Sequence, residues 1–241
     1  MIELEATGGW HPVLLTAGVL PMEAHLLGPE GAFEGTVEVP SNVMLLRGHD
    51  VTVLIDAGSG SFAVDWPGGR ADLLGALAQA DCAAEDVDVV VLTHLDFDHC
   101  GGTTLLPRAR VLVAAGAKPS GTAGERVLDQ LRAERRLEWI EERAQAAPGV
   151  VMRAAPGHRA GHSVIEVGDG LVHLADVVHH PLHVEHLDWD REFDSDVELA
   201  AATRAGLLEE MAERGVTVTA SHIAAPGRIV RHAGGLRWRH L

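Results

Sequence analysis

Cysteine is nearly missing from this chain of 241 residues, which carries only Cys82 and Cys100. Two thiols at this spacing supply neither a disulfide framework nor the ligands of a zinc ribbon, and both are expected to stay reduced. Basic residues are also few, 19 lysines and arginines against 35 aspartates and glutamates, for a formal net charge of −16. Phosphate backbones are bound by basic surfaces, so nucleic acid is not expected as a partner. No apolar run approaches the ~18 residues that span a bilayer. The opening "MIELEATGGWHPV" has no basic flank leading into an apolar stretch, as a secretory signal would. Together these absences lead to the expectation of a cytoplasmic protein without membrane attachment. No low-complexity tract and no solenoid period is visible either.

What is abundant is histidine, 15 residues against no tyrosine at all. Imidazole is the commonest metal ligand among side chains. With 46% hydrophobic residues the chain can bury a substantial core, and residues 1–241 are expected to form one domain.

Two β-rich runs, "NVMLL" and "VTVLID", flank the polar "RGHD" and end in a glycine-rich loop at Asp56, which predicts a hairpin. "RADLLGALAQA" (70–80) has helical spacing, and "VDVVVL" (87–92) has the continuous apolar character of a buried strand. "ARVLVAA" (109–115) predicts another strand and "AGERVLDQLRAERRLEWIEERAQ" (123–145) a long amphipathic helix. Three further strand-like runs cover 149–158, 162–168 and 170–176. A helix (196–215), a strand (216–222) and a C-terminal hairpin complete the pattern. Interleaved strands and helices place the chain in the α/β or α+β class.

Metal-type residues stand where these strands stop. His94, Asp96, Asp98 and His99 come after the run ending at Leu92, while His158, Asp176 and His222 each close another. Loops at strand ends can converge while the sheet holds them. Imidazole and carboxylate without thiolate suit zinc, or manganese and iron as the carboxylate share rises. These donors exceed the four of a tetrahedral structural zinc. Two ions roughly 3.5–4 Å apart, sharing one carboxylate and a water or hydroxide, would use them all.

The segments "HLDFDH" (94–99), "PGH" (156–158), "LAD" (174–176) and "SH" (221–222), in this order and spacing, resemble the metallo-β-lactamase superfamily. The stretch from "ADVVHHPLHVEH" through "WDREFDSD" to "TASH" is most similar to the branch of N-acyl-homoserine lactonases and methyl-parathion-hydrolase-like enzymes. The resemblance implies a four-layer αββα sandwich with a dinuclear site along one edge. It implies that His94, Asp96 and His158 hold one divalent ion, that Asp98, His99 and His222 hold a second, and that Asp176 bridges them. One departure stands out, because the family motif is H-x-H-x-D-H and Asp96 replaces its second histidine. Asp96 is therefore either a ligand, favouring harder ions, or a group that orients a ligand histidine.

The implied activity is hydrolysis of a lactone or similar small ester by a metal-bridged hydroxide, with one ion polarising the carbonyl. Lactonases of this kind carry a tyrosine three residues past the bridging aspartate, and here that position is His179. His179 and Asp98 are thus the expected catalytic residues, His179 by binding the substrate carbonyl or protonating the leaving group. Relatives commonly dimerise, which makes a homodimer the implied assembly.

Two other enzyme readings share these ligands. One is a glyoxalase II-like thioesterase that binds an anionic tail through Arg228, Arg231, Arg237 and Arg239; the other is a phosphotriesterase. A catalytically inactive metal- or ligand-binding protein is the non-enzymatic alternative. The pocket wall is expected from residues 18–35, where Met22, Leu26, Leu27 and Phe33 suggest an apolar rim, and from the helix at 123–145. His162 reads as a packing residue or a group supporting a ligand rather than a ligand, His180, His183 and His186 as solvent-facing or supporting groups, and Cys100 as a small buried residue in a helical turn.

Overall fold

Strict alternation along the strands, with both faces apolar, builds this fold. The computed structural model describes residues 1–141, 143–189 and 192–241. The first sheet takes β1 (Ile2–Glu3), β2 (His11–Glu23), β3 (Thr36–Gly48), β4 (Val51–Ile55), the short β5 (Arg70–Ala71), β6 (Val89–Val91), β7 (Arg110–Ala114) and β8 (Leu137–Ile140). Its order is β1-β2-β3-β4-β6-β7-β8, with β5 added to β2. The second takes β9 (Arg143–Ala147), β10 (Val150–Ala154), β11 (Ser163–Val167), β12 (Leu171–His173), β13 (Thr217–Thr219), β14 (Gly227–His232) and β15 (Gly235–His240), and runs from β15 to β9 in reverse sequence order.

Met44, Leu46, Val53, Ile55, Val89, Val91 and Leu112 of the first sheet pack between the sheets against Met152, Ile165, Val167 and Leu171 of the second. Their alternates Val43, Leu45, Leu54, Val90, Val111 and Val113 face outward onto α1 (Leu73–Gln79) and, beyond the short α2 (Phe97–Cys100), α3 (Gly121–Ala133). On the other side Val164, Val172 and Val218 face Leu207, Leu208 and Met211 of α4 (Val197–Arg214). The layers are therefore αββα, and strands buried on both sides read as continuous apolar runs.

The predicted hairpin is β3–β4, closed by His49 and Asp50, both at positive φ (52° and 57°) as a tight two-residue turn demands. Asp196 caps α4 by accepting from the Leu199 N–H, and Gly215 ends it at φ 64°.

The long helix expected over 123–145 is not formed. α3 stops at Ala133, Arg135 adopts φ 57°, and the chain returns as β8, parallel to β7. The carbonyls of Arg136 and Ile140 accept from Val111 and Ala115, so sheet pairing overrides the helical preference of "RLEWI". Residue 142 in that stretch, and residues 190 and 191 of "WDREFDSD", lie outside the described residues. Strand β2 has no counterpart in the sequence pattern because Pro12, Gly18 and Pro21 interrupt it; its register shifts between Thr16 and Gly18, where β5 joins. Among the described residues no helix is long and apolar enough to cross a membrane.

Candidate metal centre

The ends of four strands deliver the donors to one edge of the sandwich. After β6 the chain passes through Thr93 and His94 into the turn of α2, which carries Asp98 and His99, and Ser41 of β3 donates to the Asp98 carbonyl at 2.9 Å. Asp176 comes after β12 in a tight turn opened by Ala175 at φ 50°. His158 comes after β10 by way of Gly157, whose φ of 123° and closeness to α4 leave no room for a side chain: a Cβ there would lie 2.2 Å from the Ala200 nitrogen. His222 comes after β13, and Asn42 of the first sheet brackets it by donating to the carbonyls of Ala220 (3.1 Å) and Ile223 (2.8 Å).

These side chains converge on one carboxylate oxygen. Asp176 Oδ2 lies 3.2 Å from His99 Nε2, 3.3 Å from His179 Nε2, 3.4 Å from both His158 and His222 Nε2, and 3.8 Å from His94 Nε2. Asp98 Oδ2 is 3.4 Å from His222 Nε2 and 3.7 Å from His99 Nε2. Three groups have donor atoms within 4.8 Å of one another: His94 with His158 and Asp176, Asp98 with His99 and His222, and Asp176 with His179 and His222.

The outer nitrogens explain why the inner ones face together. His99 Nδ1 is 2.8 Å from Asp56 Oδ2, His94 Nδ1 3.1 Å from Thr93 Oγ1, His158 Nδ1 3.2 Å from Asp194 Oδ1, and His222 Nδ1 2.8 Å from the Pro40 carbonyl. Asp56 is itself fixed by the Thr93 N–H and hydroxyl at 2.8 Å each. Tying Nδ1 in this way selects the tautomer whose Nε2 lone pair points inward, the arrangement that serves metal-ligating histidines. His162 is engaged on both nitrogens, with Ala155 O and with the Asp176 N–H, so it supports the Asp176 turn and has no donor left for an ion.

His94 Nε2, His99 Nε2 and Asp176 Oδ1 are buried and make no hydrogen bond among the described residues. Buried polar atoms ordinarily have partners. Inward-facing imidazoles and carboxylates lacking them fit a divalent cation, and a nitrogen–oxygen set without thiolate fits zinc, manganese or iron. Charge is arranged accordingly. Burial, reinforced by neighbouring His99, holds His94 well below the usual imidazole range. At His99 burial acts the same way, but the Asp176, Asp98 and Asp56 carboxylates outweigh it and raise its pKa well above that range. Burial opposes ionisation of Asp176 too, yet His99 and His222 hold it well below the usual carboxylate value.

Asp96 is placed differently from the other expected ligands. It stands outside all three donor groups and meets the Arg159 guanidinium, with Nε 2.9 Å from Oδ2 and 3.2 Å from Oδ1. Burial pushes its pKa up to about 6 against the pull of Arg159. Arg159 also donates to the carbonyls of His158 and Phe193.

A cavity of about 150 Å3 opens over the centre, its floor formed by Asp98, His158, Asp176, His179 and His222. Its walls are Leu20, Met22, Trp66, Phe97 and Phe193, with Asp96, Arg159 and Ser120 at the polar side. Met22 lines it as expected; Leu27 and Phe33 pack behind that wall, and helix α3 contributes nothing beyond the preceding Ser120. None of Arg228, Arg231, Arg237 and Arg239 lines it: Arg231 pairs with Glu209 at 2.8 Å and Arg237 with Glu185 at 3.1 Å, while Arg228 borders a separate cavity.

Several supporting residues escape the sequence reading. Asp56 carries the same signal as the expected ligands, an acidic residue closing an apolar strand. Arg204 falls on the buried stripe of α4 with Ala200, Leu207, Leu208 and Met211, a position where a charge demands a partner. Its partners are Asp194 (3.0 Å) and the carbonyls of Val177 (2.6 Å) and Leu187 (2.8 Å). Trp66, Phe97 and Phe193 have no sequence signal, being brought to the rim by three separate segments, Phe97 by the first turn of α2.

The "Probable metallo-hydrolase Rv2300c" of Mycobacterium tuberculosis is 30% identical over 200 residues, 66% of this chain and 64% of that protein. This chain thus matches less than two thirds of that relative's length. Among solved structures, AidC, a dizinc quorum-quenching lactonase in complex with a homoserine product, superposes with a TM-score of 0.85 at 21% identity over 100% of this chain and 97% of its own. The hydrolase AbOPH superposes with a TM-score of 0.86 at 21% identity over 99% and 96%. At these identities the superpositions establish a shared fold. The sequence model of the metallo-beta-lactamase superfamily matches residues 36–185, and the chain belongs to that superfamily.

Proposed function

We propose that this protein is a metal-dependent hydrolase that opens a lactone or a similar small ester. The observation that carries the reading is the convergence of His94, His99, His158 and His222 on Asp176, with Asp98 beside His99 and His222, beneath a cavity with an apolar wall. On this reading His94, His158 and Asp176 hold one ion, and Asp98, His99, His222 and Asp176 a second. When bound, such ions supply Lewis acidity toward a carbonyl oxygen and lower the pKa of a water molecule to near neutrality.

The rest is done by the chain. Asp56, Thr93, Asp194 and the Pro40 carbonyl hold the imidazoles in place, so little reorganisation is required as charge develops on the substrate. Leu20, Met22, Trp66, Phe97 and Phe193 accept an acyl group and exclude water from the reacting carbonyl. Lactonase structures of the same fold, one with a homoserine product bound, support the choice of a lactone. None of the basic residues that a thioesterase of the glyoxalase II kind would use lines this cavity, so the lactone is preferred.

The test is hydrolysis of a panel of N-acyl lactones, simple esters and thioesters, with metals counted per chain in the same preparation. Chelator-sensitive ring opening, restored by zinc, manganese or iron, is expected with about two ions per chain. A metal-loaded protein that hydrolysed none of the panel would leave the binding-protein reading standing instead.

A further inference from the structure

His179 sits among the imidazoles that face the shared carboxylate, while Asp96 does not. The motif this chain resembles supplies five histidines to the two ions, and the change at position 96 leaves four: His94, His99, His158 and His222. His179 Nε2 lies 3.3 Å from Asp176 Oδ2, inside the 3.2–3.8 Å span of those four. Its ring stacks on that of His222 at 5.1 Å with only 9° between the planes, and its donor atom groups with those of Asp176 and His222. It is 2% exposed, and His183 Nδ1 accepts from its backbone N–H at 3.3 Å. His183 is itself anchored to the Leu27 carbonyl at 2.7 Å. The segment bearing His179 is therefore fixed from behind.

Asp96 shows the complementary picture. Both of its oxygens face the Arg159 Nε, and among the expected ligands it approaches His94, at 3.8 Å from Nε2. Arg159 is held in turn by the carbonyls of His158 and Phe193. A carboxylate paired with a guanidinium has less charge to offer an ion and would weaken a charge-assisted pair by doing so.

We propose that His179 is a ligand of the metal centre, shared with Asp176 and His222, and that Asp96 is not a ligand but the positioning partner of Arg159. This rests on the reading of the cluster as a metal centre. The lost imidazole is thereby regained from another loop, and the number of histidines is conserved while their distribution changes. His179 then acts through the metal rather than as a free proton donor to the leaving group.

The test reads metal binding, not turnover. Metal-free wild type, His179→Gln and Asp96→Asn are titrated with Co2+ and Zn2+ by calorimetry, and the Co2+ visible bands are recorded. His179→Gln is expected to weaken one of the two binding events about tenfold or more and to shift the Co2+ bands. Asp96→Asn is expected to weaken neither binding event as much as His179→Gln does. The reverse ranking, or two variants that both bind like wild type, overturns the proposal. Circular dichroism of the metal-free variants checks that they fold. Should His179→Gln not fold, wild type decides: its Co2+ form should display five paramagnetically shifted, solvent-exchangeable imidazole N–H signals, and four would exclude His179. A wild type that took up no metal would remove the metal-centre reading itself, whereas two ions bound without His179 would remove only this inference.

Discussion

His99 Nδ1 lies 2.8 Å from Asp56 Oδ2 in a contact closed to solvent on both sides, with relative exposures of 1% and 0%. Asp56 thus sets which nitrogen of His99 faces Asp176. Asp56→Asn keeps the size of the side chain but removes the charge that orients the ring. Metal affinity is expected to fall about 10–100-fold, measured by competition with a chromophoric chelator. Unchanged affinity would show that the ring is held by packing alone.

The pair formed by Arg204 and Asp194 is equally enclosed, 2% and 1% exposed, and Asp194 is also the partner of His158 Nδ1. Arg204→Met removes one member of a buried pair and leaves the other without its countercharge. The expected cost is about 3–5 kcal/mol of stability, read from urea unfolding. Asp194→Asn leaves Arg204 without its countercharge in the same way and should in addition cost more metal affinity than Arg204→Met, because it touches the histidine directly. If the two variants lost stability and affinity in equal proportion, the division of roles would be wrong.

His173 is buried between Thr219 Oγ1 (3.0 Å) and Ser221 Oγ (3.4 Å), and burial lowers its pKa from 6.5 to about 4 against the pull of the Asp56 carboxylate. The folded protein keeps it neutral where the unfolded chain would protonate it. Its share of stability is therefore complete above pH 6.5 and is lost as pH falls toward about 4, at up to about 1.4 kcal/mol per pH unit. Comparing metal-free wild type with His173→Gln by urea unfolding at pH 7 and pH 5 isolates this share: the variant's acid sensitivity should be smaller. Equal slopes would place the acid sensitivity elsewhere.

Trp66 forms one wall of the cavity, stacked on Phe97 at 6.1 Å and fixed by its Nε1 donating to the Pro21 carbonyl at 2.7 Å. Trp66→Ala should raise KM for lactones with long acyl chains about tenfold, as expected from losing roughly 1.5–3 kcal/mol of apolar burial, with kcat little changed. Short-chain lactones should be affected less. A uniform fall in kcat across chain lengths would instead mean that Trp66 shapes the centre and not the rim.

The donors are legible in the sequence because strand ends are: a short, β-branched and continuously apolar run such as "VDVVVL" reads as a strand covered on both faces, and the residues after it emerge at an edge. The same logic applied to "VTVLID" reaches Asp56. Reading "RLEWI" as helix fails because nothing local records that the exposed edge of β7 is waiting for a partner. Asp96 illustrates a different limit. Its spacing within "HLDFDH" is that of a ligand, yet its place is decided by Arg159, a residue 63 positions away. The aromatic rim is likewise a product of loop packing, invisible until the sandwich has closed.

The brackets that hold the imidazoles cross the boundary between the two sheets. His222 belongs to the second sheet but leans on Pro40 of the first, and Asn42 of the first grips the backbone on both sides of His222. Any ion taken up by Asp98 and His222 would act as a rivet through both halves of the sandwich. Prying the sheets apart would then mean breaking coordination bonds as well as separating apolar surfaces, so the rate at which this protein opens should be set by how firmly its metal is seated.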